Sequence, residues 1–361
     1  MRRTPLESTR SSGVAAYSRA AGGLLGSLLL ASGCARALAA PDAVADALFA
    51  RHDTWRGGDA AYSAALDGER VLWSFGDSWV GGGAPHSRSG RHLARNTIAI
   101  QHGLDPRSAG IEFYGDPFFD DGDASDATWL WPGPAVMIGS TLVVFLVEHH
   151  ARGEGLFGFE AHGSRVVIVD DIRGTPDTWT LRTVAAPPRP PGVQLLGAAL
   201  VEGGYLYLFG VVEPGAHDVH LGRISVVDAA RGVFGGAAWF DGATSFGPAA
   251  SSRPIVRGAQ SELSVHRGDD GLLHMTSTQG FGGADIVERS SHVPSGPWSS
   301  PRLLFHPAAG DEARVLIYSA KAHPELQGGR YLTYCTNHED FWTMASRQDL
   351  YFPRFLRVGE P

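Results

Sequence analysis

Short apolar stretches joined by glycine-containing turns recur along most of the chain. Five times, two such stretches flank a tight turn, at intervals of about 60 to 70 residues. Turns such as Asp67-Gly68 and Gly328-Gly329 supply the positive φ that tight hairpins need. The predicted hairpins pair residues 60–66 with 71–75, 135–138 with 142–147, 195–201 with 205–209, 262–266 with 272–277, and 318–326 with 331–335.

Two more candidate strands follow each hairpin, so each unit has four antiparallel strands. In the last unit these are residues 341–347 and 355–358. No amphipathic helical pattern separates the units, and the 47 glycines and 22 prolines suit many short strands. The repeat predicts an all-β fold, a five-bladed β-propeller with four antiparallel strands per blade, as a single domain over residues 40–361.

The N-terminal segment has the pattern of an export signal. Four arginines precede the apolar run 20–31, which is too short to span a bilayer. The run ends in Ala31-Ser32-Gly33-Cys34, which resembles a bacterial lipobox, whereas Ala37-Leu38-Ala39 offers an ordinary signal-peptidase site. We predict a leader and short tether over residues 1–39, lipidation of Cys34, and an exported protein. It is either a lipoprotein of the outer membrane or cell surface, or a periplasmic or secreted protein.

The charge and the cysteine content limit the binding partners and the disulfide bonds that the sequence allows. The net charge of −8 is spread without basic runs, which excludes nucleic acid as the main partner. The chain has two cysteines, and lipidation of Cys34 leaves Cys335 without a disulfide partner. We expect a monomer that contacts the membrane only through the lipid anchor.

Propeller geometry brings the starts of first strands, the ends of second strands and the starts of third strands to one face. Polar residues converge there, and glycosidic cleavage needs two carboxyl groups. We predict carbohydrate as the partner. The predicted catalytic residues are Asp59, Glu262 and Asp77, and the predicted substrate-binding residues are Arg95, Asn96, Trp131, Gln260, Lys321 and His323.

Most of these residues also have a purely structural interpretation. Asp59 and Glu262 can satisfy backbone donors or an arginine, and Asp77 can cap a turn and hold Arg95. Lys321 on an inner strand has to meet a carboxylate, either as a structural contact or as a substrate clamp. His323, which precedes a proline, can be a core histidine.

Metal sites and cofactors are not predicted. The acidic loop formed by Asp120, Asp121, Asp123 and Asp126 lacks the spacing of an EF-hand. His149-His150 and His217-x-x-His220 lack a third zinc ligand in sequence. A calcium ion in the propeller channel is left as an open alternative, and no motif in the sequence supports it.

Gly76-Asp77-Ser78 after an apolar strand looks like the first block of GDSL-type esterases. That family also needs an Asn after a Gly and an Asp three residues before a His. Neither Asn96 nor Asn337 has that context, and none of the 15 histidines has such an Asp. The missing helical periodicity further disfavours the esterase fold.

Several segments together resemble exported bacterial proteins of the glycoside hydrolase-like five-bladed propeller superfamily, and more distantly arabinanases and β-xylosidases. They are the stretch 55–77, Arg95-Asn96, Ser261-Glu262-Leu263-Ser264, Ser295-Gly296-Pro297-Trp298, Lys321-Ala322-His323-Pro324 and Tyr351-Phe352-Pro353-Arg354-Phe355. The resemblance implies Asp59 as catalytic base, Glu262 as acid, an arabinan-like substrate and an inverting hydrolysis.

One departure from the family pattern keeps a second function open. The arabinanase-like enzymes carry a further Asp at the start of the second blade, where this chain has Trp131-Pro132-Gly133-Pro134. Either Asp77 supplies part of the machinery, or the propeller is a non-catalytic surface protein that binds carbohydrate or protein. Because fold does not determine activity, whether the protein is an enzyme stays open at this point.

Overall fold

A computed structural model describes residues 38–359, except 85–86, 123–126, 154–157 and 281. The predicted leader, including Cys34, lies outside the described residues apart from its last two positions. Ala37–Pro361 forms one compact unit. Each of the five predicted hairpins is present and opens an antiparallel sheet.

We number the five sheets along the chain and give their strands from the first strand outward. Sheet I contains Tyr62–Ala65, Arg70–Phe75, Thr97–His102 and Gly110–Tyr114. Sheet II contains Thr128–Ile138, Thr141–Ala151, Phe159–Val169 and Arg182–Ala185. Sheet III contains Val193–Glu202, Tyr205–Val212, Val219–Ser225, Ala238–Phe240 and Phe246–Gly247, with Pro254–Val256 beside its third strand. Sheet IV contains Leu263–Arg267, Leu273–Thr278, Ile286–Ser291 and Arg302–Phe305.

Sheet V combines the two ends of the described chain. It contains Val315–His323, Tyr331–His338, Arg354–Val358 and Ala39–Pro41. A small three-stranded sheet beside sheet I contains Trp55–Gly58, Ser78–Val80 and His92–Ala94. The described α-helices are Ala43–Ala50, Val226–Ala230 and Phe341–Ser346, and the described 3-10 helices are Pro176–Thr178, Ala249–Ser251 and Ala308–Asp311.

The first strands of the five sheets contact one another in chain order, and the first strand of sheet V returns to that of sheet I. The apolar core is divided accordingly into one cluster between each pair of neighbouring sheets. The second strand of sheet II shows how the sequence produces this division. Leu142 and Val144 pack against sheet I, whereas Val143 and Phe145 pack against sheet III. Successive side chains of a strand point to opposite faces, so a strand covered on both faces is apolar throughout.

The end of the chain differs from the prediction. Residues 341–346 form a helix rather than the third strand of the last unit, because Asp340 caps the helix by accepting a hydrogen bond of 2.8 Å from the Thr343 amide. The third strand is Arg354–Val358, and Ala39–Pro41 supplies the fourth. Sheet V is therefore completed by the N-terminal end of the described chain.

Of the helices within residues 38–359 that the structure describes, none has the length and apolar character to cross a membrane.

Candidate active site

Asp59 lies between the small sheet and the first strand of sheet I. The next two residues, Ala60 and Ala61, have φ values of 64° and 53°, so the chain turns sharply just after the carboxylate. The carbonyl of Asp59 accepts hydrogen bonds from the amides of Ala61 (2.8 Å) and Gly76 (3.2 Å). A Cβ atom on Gly76 would lie 2.5 Å from Oδ1 of Asp59, so only glycine leaves room for this carboxylate.

The first strand of sheet V provides the residues that contact Asp59 and Glu262. Its pairing is irregular between Tyr318 and Lys321, where Ser319 has a φ of 60°. The Tyr318 hydroxyl donates a hydrogen bond of 2.8 Å to Oδ2 of Asp59. The irregularity thus directs polar side chains of an otherwise buried strand toward two carboxylates.

Glu262 lies directly before the first strand of sheet IV and is held from sheet V. Its Oε2 accepts hydrogen bonds from Ser319 Oγ at 2.6 Å and from Lys321 Nζ at 2.5 Å. Both donors also contact the Ala60 carbonyl, at 2.7 Å and 2.6 Å respectively. Ser319 and Lys321 therefore connect Glu262 to the residue that follows Asp59.

Lys321 is a positioning residue in this arrangement. Its side chain is 3% exposed, whereas that of Glu262 is 18% exposed. The ammonium group lies 4.1 Å from the ring centroid of Tyr62 and contacts Glu262, Ala60 and Ser319. Its donors are used within the protein and Glu262 is the more exposed partner, which favours the structural interpretation of Lys321; its predicted substrate-binding role stays a prediction.

Burial is the main effect that raises the pKa of Asp59, and the nearby carboxylates of Asp77 and Glu262 add to it; together with smaller lowering effects of Tyr318 and Lys321 they bring this pKa from 3.8 to about 8. Asp59 as a whole residue is half-buried. The raised pKa favours its protonated form at neutral pH. Two carboxyl groups in one site thus have different surroundings: Asp59 is protonated, and Glu262 accepts hydrogen bonds from an ammonium and a hydroxyl group.

Asp77 and Trp131 connect sheets I and II at the side of the site. The indole Nε1 of Trp131 donates a hydrogen bond of 2.9 Å to Oδ1 of Asp77. Arg95 lies 3.7 Å from Oδ2 of Asp77, and its guanidinium group lies 4.1 Å from the ring centroid of Trp129. Trp131 is half-buried and also contacts the ring of His149 at 4.3 Å between centroids. Its indole is thereby held as a fixed, partly exposed aromatic surface.

Three predicted substrate-binding residues are buried and make hydrogen bonds inside the fold, which favours their structural interpretation. Asn96 is fully buried and bonds with Phe118, Phe119 and Leu130 through both ends of its amide. The buried amide of Gln260 bonds with Gly280 and Ser261. Burial lowers the pKa of His323, whose ring bonds with Ser63 and Thr333, so it is a neutral core histidine. Their amide and imidazole groups satisfy buried polar partners, which the sequence pattern does not distinguish from ligand contacts.

Sequence reasoning missed Tyr318 and Ser319. The signal available was a tyrosine and a serine just before Lys321 in a strand that is otherwise apolar. Ser78, the residue of the esterase-like block, is fully buried and donates to the Gly76 carbonyl at 2.9 Å, so it has no nucleophilic role there.

Within the described residues, no group of three or more His, Cys, Asp or Glu side chains could hold a metal ion. His217 bonds with Glu213 and His220 with Ser252. Of the acidic loop, Asp123 and Asp126 lie outside the described residues.

The comparisons with known proteins agree with this architecture. The chain belongs to the family described as "Domain of unknown function (DUF5005)", whose sequence model matches residues 42–360. A comparison with curated proteins finds no match. A crystal structure of a protein from Bacteroides ovatus ATCC 8483, provisionally described as a hydrolase, is similar with a TM-score of 0.69 and 19% identity. The similarity covers 88% of this chain and 89% of that chain. It shows a shared fold.

Weaker similarity extends to glycoside hydrolases. Xylan β-1,4-xylosidase from Bacillus halodurans C-125 matches with a TM-score of 0.49 and 14% identity over 84% of this chain and 53% of that chain. The α-L-arabinofuranosidase of Podospora anserina, solved with cellotriose, matches with a TM-score of 0.46 and 10% identity over 85% of this chain and 92% of that chain. The predicted resemblance to arabinanase- and xylosidase-type enzymes is confirmed as a likeness of fold.

Proposed function

We propose that this protein is a five-bladed β-propeller glycoside hydrolase that cleaves an arabinan-like, furanoside-containing polysaccharide. The ring of five sheets, with one apolar cluster at each junction, supports the blade count. The observation that carries the activity is the pair of carboxyl residues Asp59 and Glu262, which differ in their surroundings. Ser319 and Lys321 bind both Glu262 and the Ala60 carbonyl next to Asp59.

The charge distribution supports roles opposite to those that the resemblance implies. Asp59, with a pKa of about 8, carries a proton at neutral pH and is suited to protonate the leaving oxygen. Glu262, held by Lys321 and Ser319, is suited to accept a proton from water or to attack the sugar. We adopt these roles in the proposal.

The reaction then follows the two-carboxyl scheme of glycosidases. Asp59 transfers its proton to the glycosidic oxygen while the bond from that oxygen to the anomeric carbon breaks. In a direct displacement, Glu262 takes a proton from the water whose oxygen bonds to the anomeric carbon. Returning that proton from Glu262 to Asp59 through solvent restores the enzyme. Trp131 offers an aromatic surface for a sugar ring, and Asp77 holds it in place.

We further propose that the protein acts after export, with the chain anchored through lipidated Cys34 or released from its leader. The arginines followed by the apolar run 20–31 support this proposal. The described fold begins within a few residues of this segment, since Ala39 already pairs with Val358.

The test is reducing-sugar release from arabinans, xylans and bacterial cell-wall polysaccharides by the wild type, Asp59→Asn and Glu262→Gln. Loss in both variants supports a glycosidase. Aryl glycosides with an activated leaving group separate the roles, because such substrates need no protonation. Asp59→Asn should retain their cleavage and Glu262→Gln should not.

The reverse pattern on activated substrates would overturn the role assignment and restore Asp59 as base. Arg173→Met, a change at a side chain that is 88% exposed, serves as the control for handling and purity. A wild type that releases no sugar but is retained on an immobilised glycan would replace the hydrolase with a carbohydrate-binding propeller.

A further inference from the structure

A cavity lies beside the proposed active site, between the third strand of sheet II and the start of sheet III. Its volume is ≈ 430 Å³, within the range of about 300–1,000 Å³ common for small-molecule sites. Among its lining residues are Glu160, His162, Arg189, Gln194 and Glu213.

Glu213 connects this cavity to the carboxyl pair. Its carboxylate accepts a hydrogen bond from the Ser261 hydroxyl, and Ser261 directly precedes Glu262. The same carboxylate oxygen lies 2.6 Å from Nδ1 of His217. The cavity lining is therefore hydrogen-bonded to the residue that precedes Glu262.

Gln194 indicates that the cavity takes a polar ligand. The residue is 6% exposed, and its Oε1 is buried with no hydrogen-bond partner in the part of the chain that the structure describes. A buried acceptor without a partner costs about 1–3 kcal/mol, so a rotation of the amide that turns Oε1 toward a ligand donor in the cavity would be favoured. A sugar hydroxyl is such a donor.

Arg189 supplies the complementary donor. Its Nε donates a hydrogen bond of 2.8 Å to the Val193 carbonyl, which holds the guanidinium group at the cavity. Its terminal nitrogens have no bond to another described residue. A sugar diol both donates and accepts, and so matches an arginine beside an unpaired amide oxygen.

The charges of the lining favour a neutral sugar. Glu213 is engaged by His217 and Ser261, and Glu160 is paired with Arg152. Arg152 and Arg189 balance the charge of these two carboxylates, so the cavity has no net charge to attract a uronic acid. A neutral, hydroxyl-rich unit is therefore favoured.

We infer that the cavity is a second sugar subsite next to Glu262, which binds a neutral unit of the same glycan chain through Gln194 and Arg189. This inference rests on the proposed function and refines its substrate class. The preferred substrate is an oligosaccharide or polysaccharide that extends past the cleaved bond, rather than a simple glycoside.

The experiment compares kcat/KM for an aryl arabinofuranoside with that for arabino- and xylo-oligosaccharides of two to six units. Gln194→Met keeps the side-chain length and removes the acceptor. We expect kcat/KM of this variant to fall below that of the wild type by a factor that grows with the length of the oligosaccharide. The factor should reach about three- to tenfold on the longest oligosaccharides, which corresponds to one hydrogen bond. Arg173→Met should match the wild type on every substrate.

Equal loss on aryl and oligosaccharide substrates, or no loss on either, would overturn the subsite. If the wild type cleaves none of these compounds, the proposed hydrolysis fails, and calorimetric titration with the same oligosaccharides decides the subsite separately. Binding that Gln194→Met weakens supports the subsite, whereas undetectable binding or binding insensitive to the variant rejects it. Thermal unfolding of each variant confirms that it is folded.

Discussion

The Tyr318 hydroxyl lies 2.8 Å from Oδ2 of Asp59, although the two residues are 259 positions apart in the chain. The contact joins the first strand of the last sheet to the turn that precedes the first sheet. Because of this hydrogen bond, the ionisation of Asp59, the candidate acid, depends on the contact between the first strands of sheets V and I.

Removing this donor should shift the pH dependence. The hydrogen bond from Tyr318 lowers the pKa of Asp59, so Tyr318→Phe should raise it. With Asp59 as the acid, the alkaline limb of the kcat/KM profile moves to higher pH. Tyr334→Phe is the matched control, a buried tyrosine in the next strand of the same sheet. An unchanged limb in Tyr318→Phe would contradict the role of Asp59 as acid.

Asp59→Asn should stabilise the fold in alkaline solution. The pKa of Asp59 is raised by folding from its ordinary value of 3.8 to about 8, so its stabilising effect is complete below about pH 4 and is lost as pH rises to about 8. An asparagine carries no charge to bury. Differential scanning calorimetry at pH 9 should show a higher Tm for the variant, by about 1–2 °C per kcal/mol relieved. The difference should shrink at pH 4.

Lys321→Met should destabilise the protein by about 3 kcal/mol, since removing one partner of a buried ion pair leaves the other uncompensated. Urea denaturation measures the loss. Adding Glu262→Gln to this variant removes the carboxylate and should restore part of the stability. Additive effects of the two changes would show that the two side chains do not interact energetically.

The N-terminal strand gives a prediction about truncation. Ala39 is 2% exposed, and Ala39–Pro41 pairs with Arg354–Val358. Leu38 also bonds with Leu304 and Gly359 through its backbone. A chain beginning at Leu38 should keep the wild-type Tm, whereas one beginning at Asp42 should unfold several degrees lower because an outer strand is lost. Equal Tm values would show that the strand adds no stability.

The same contacts bear on processing of the leader. Cleavage after Ala39 would divide the strand Ala39–Pro41, whereas cleavage before Cys34 would leave it whole. We therefore expect mass spectrometry of the exported protein to show a chain that retains Leu38 and Ala39. A mature N-terminus at Ala40 would contradict this expectation.

The sequence by itself determined the hairpins, and it placed Asp59 and Glu262 at the starts of first strands. Short apolar runs and glycine turns are visible within a few positions of the chain. The run that includes Leu142 and Val143 therefore predicts its strand without knowledge of the neighbouring sheets. Asp59 and Glu262 could be proposed as site residues for the same reason, since each lies at the start of a strand that the pattern predicts.

Only the tertiary structure decided which polar groups are exposed and which are buried in hydrogen bonds within the protein. Asn96 and His323 were indistinguishable in sequence from ligand-binding residues, and their partners lie on other strands. The helix at Phe341–Ser346 replaced a predicted strand, and Ala39–Pro41 took a place in the last sheet. These outcomes depend on contacts between distant segments, and the sequence pattern within one segment does not contain the partner that satisfies its polar groups.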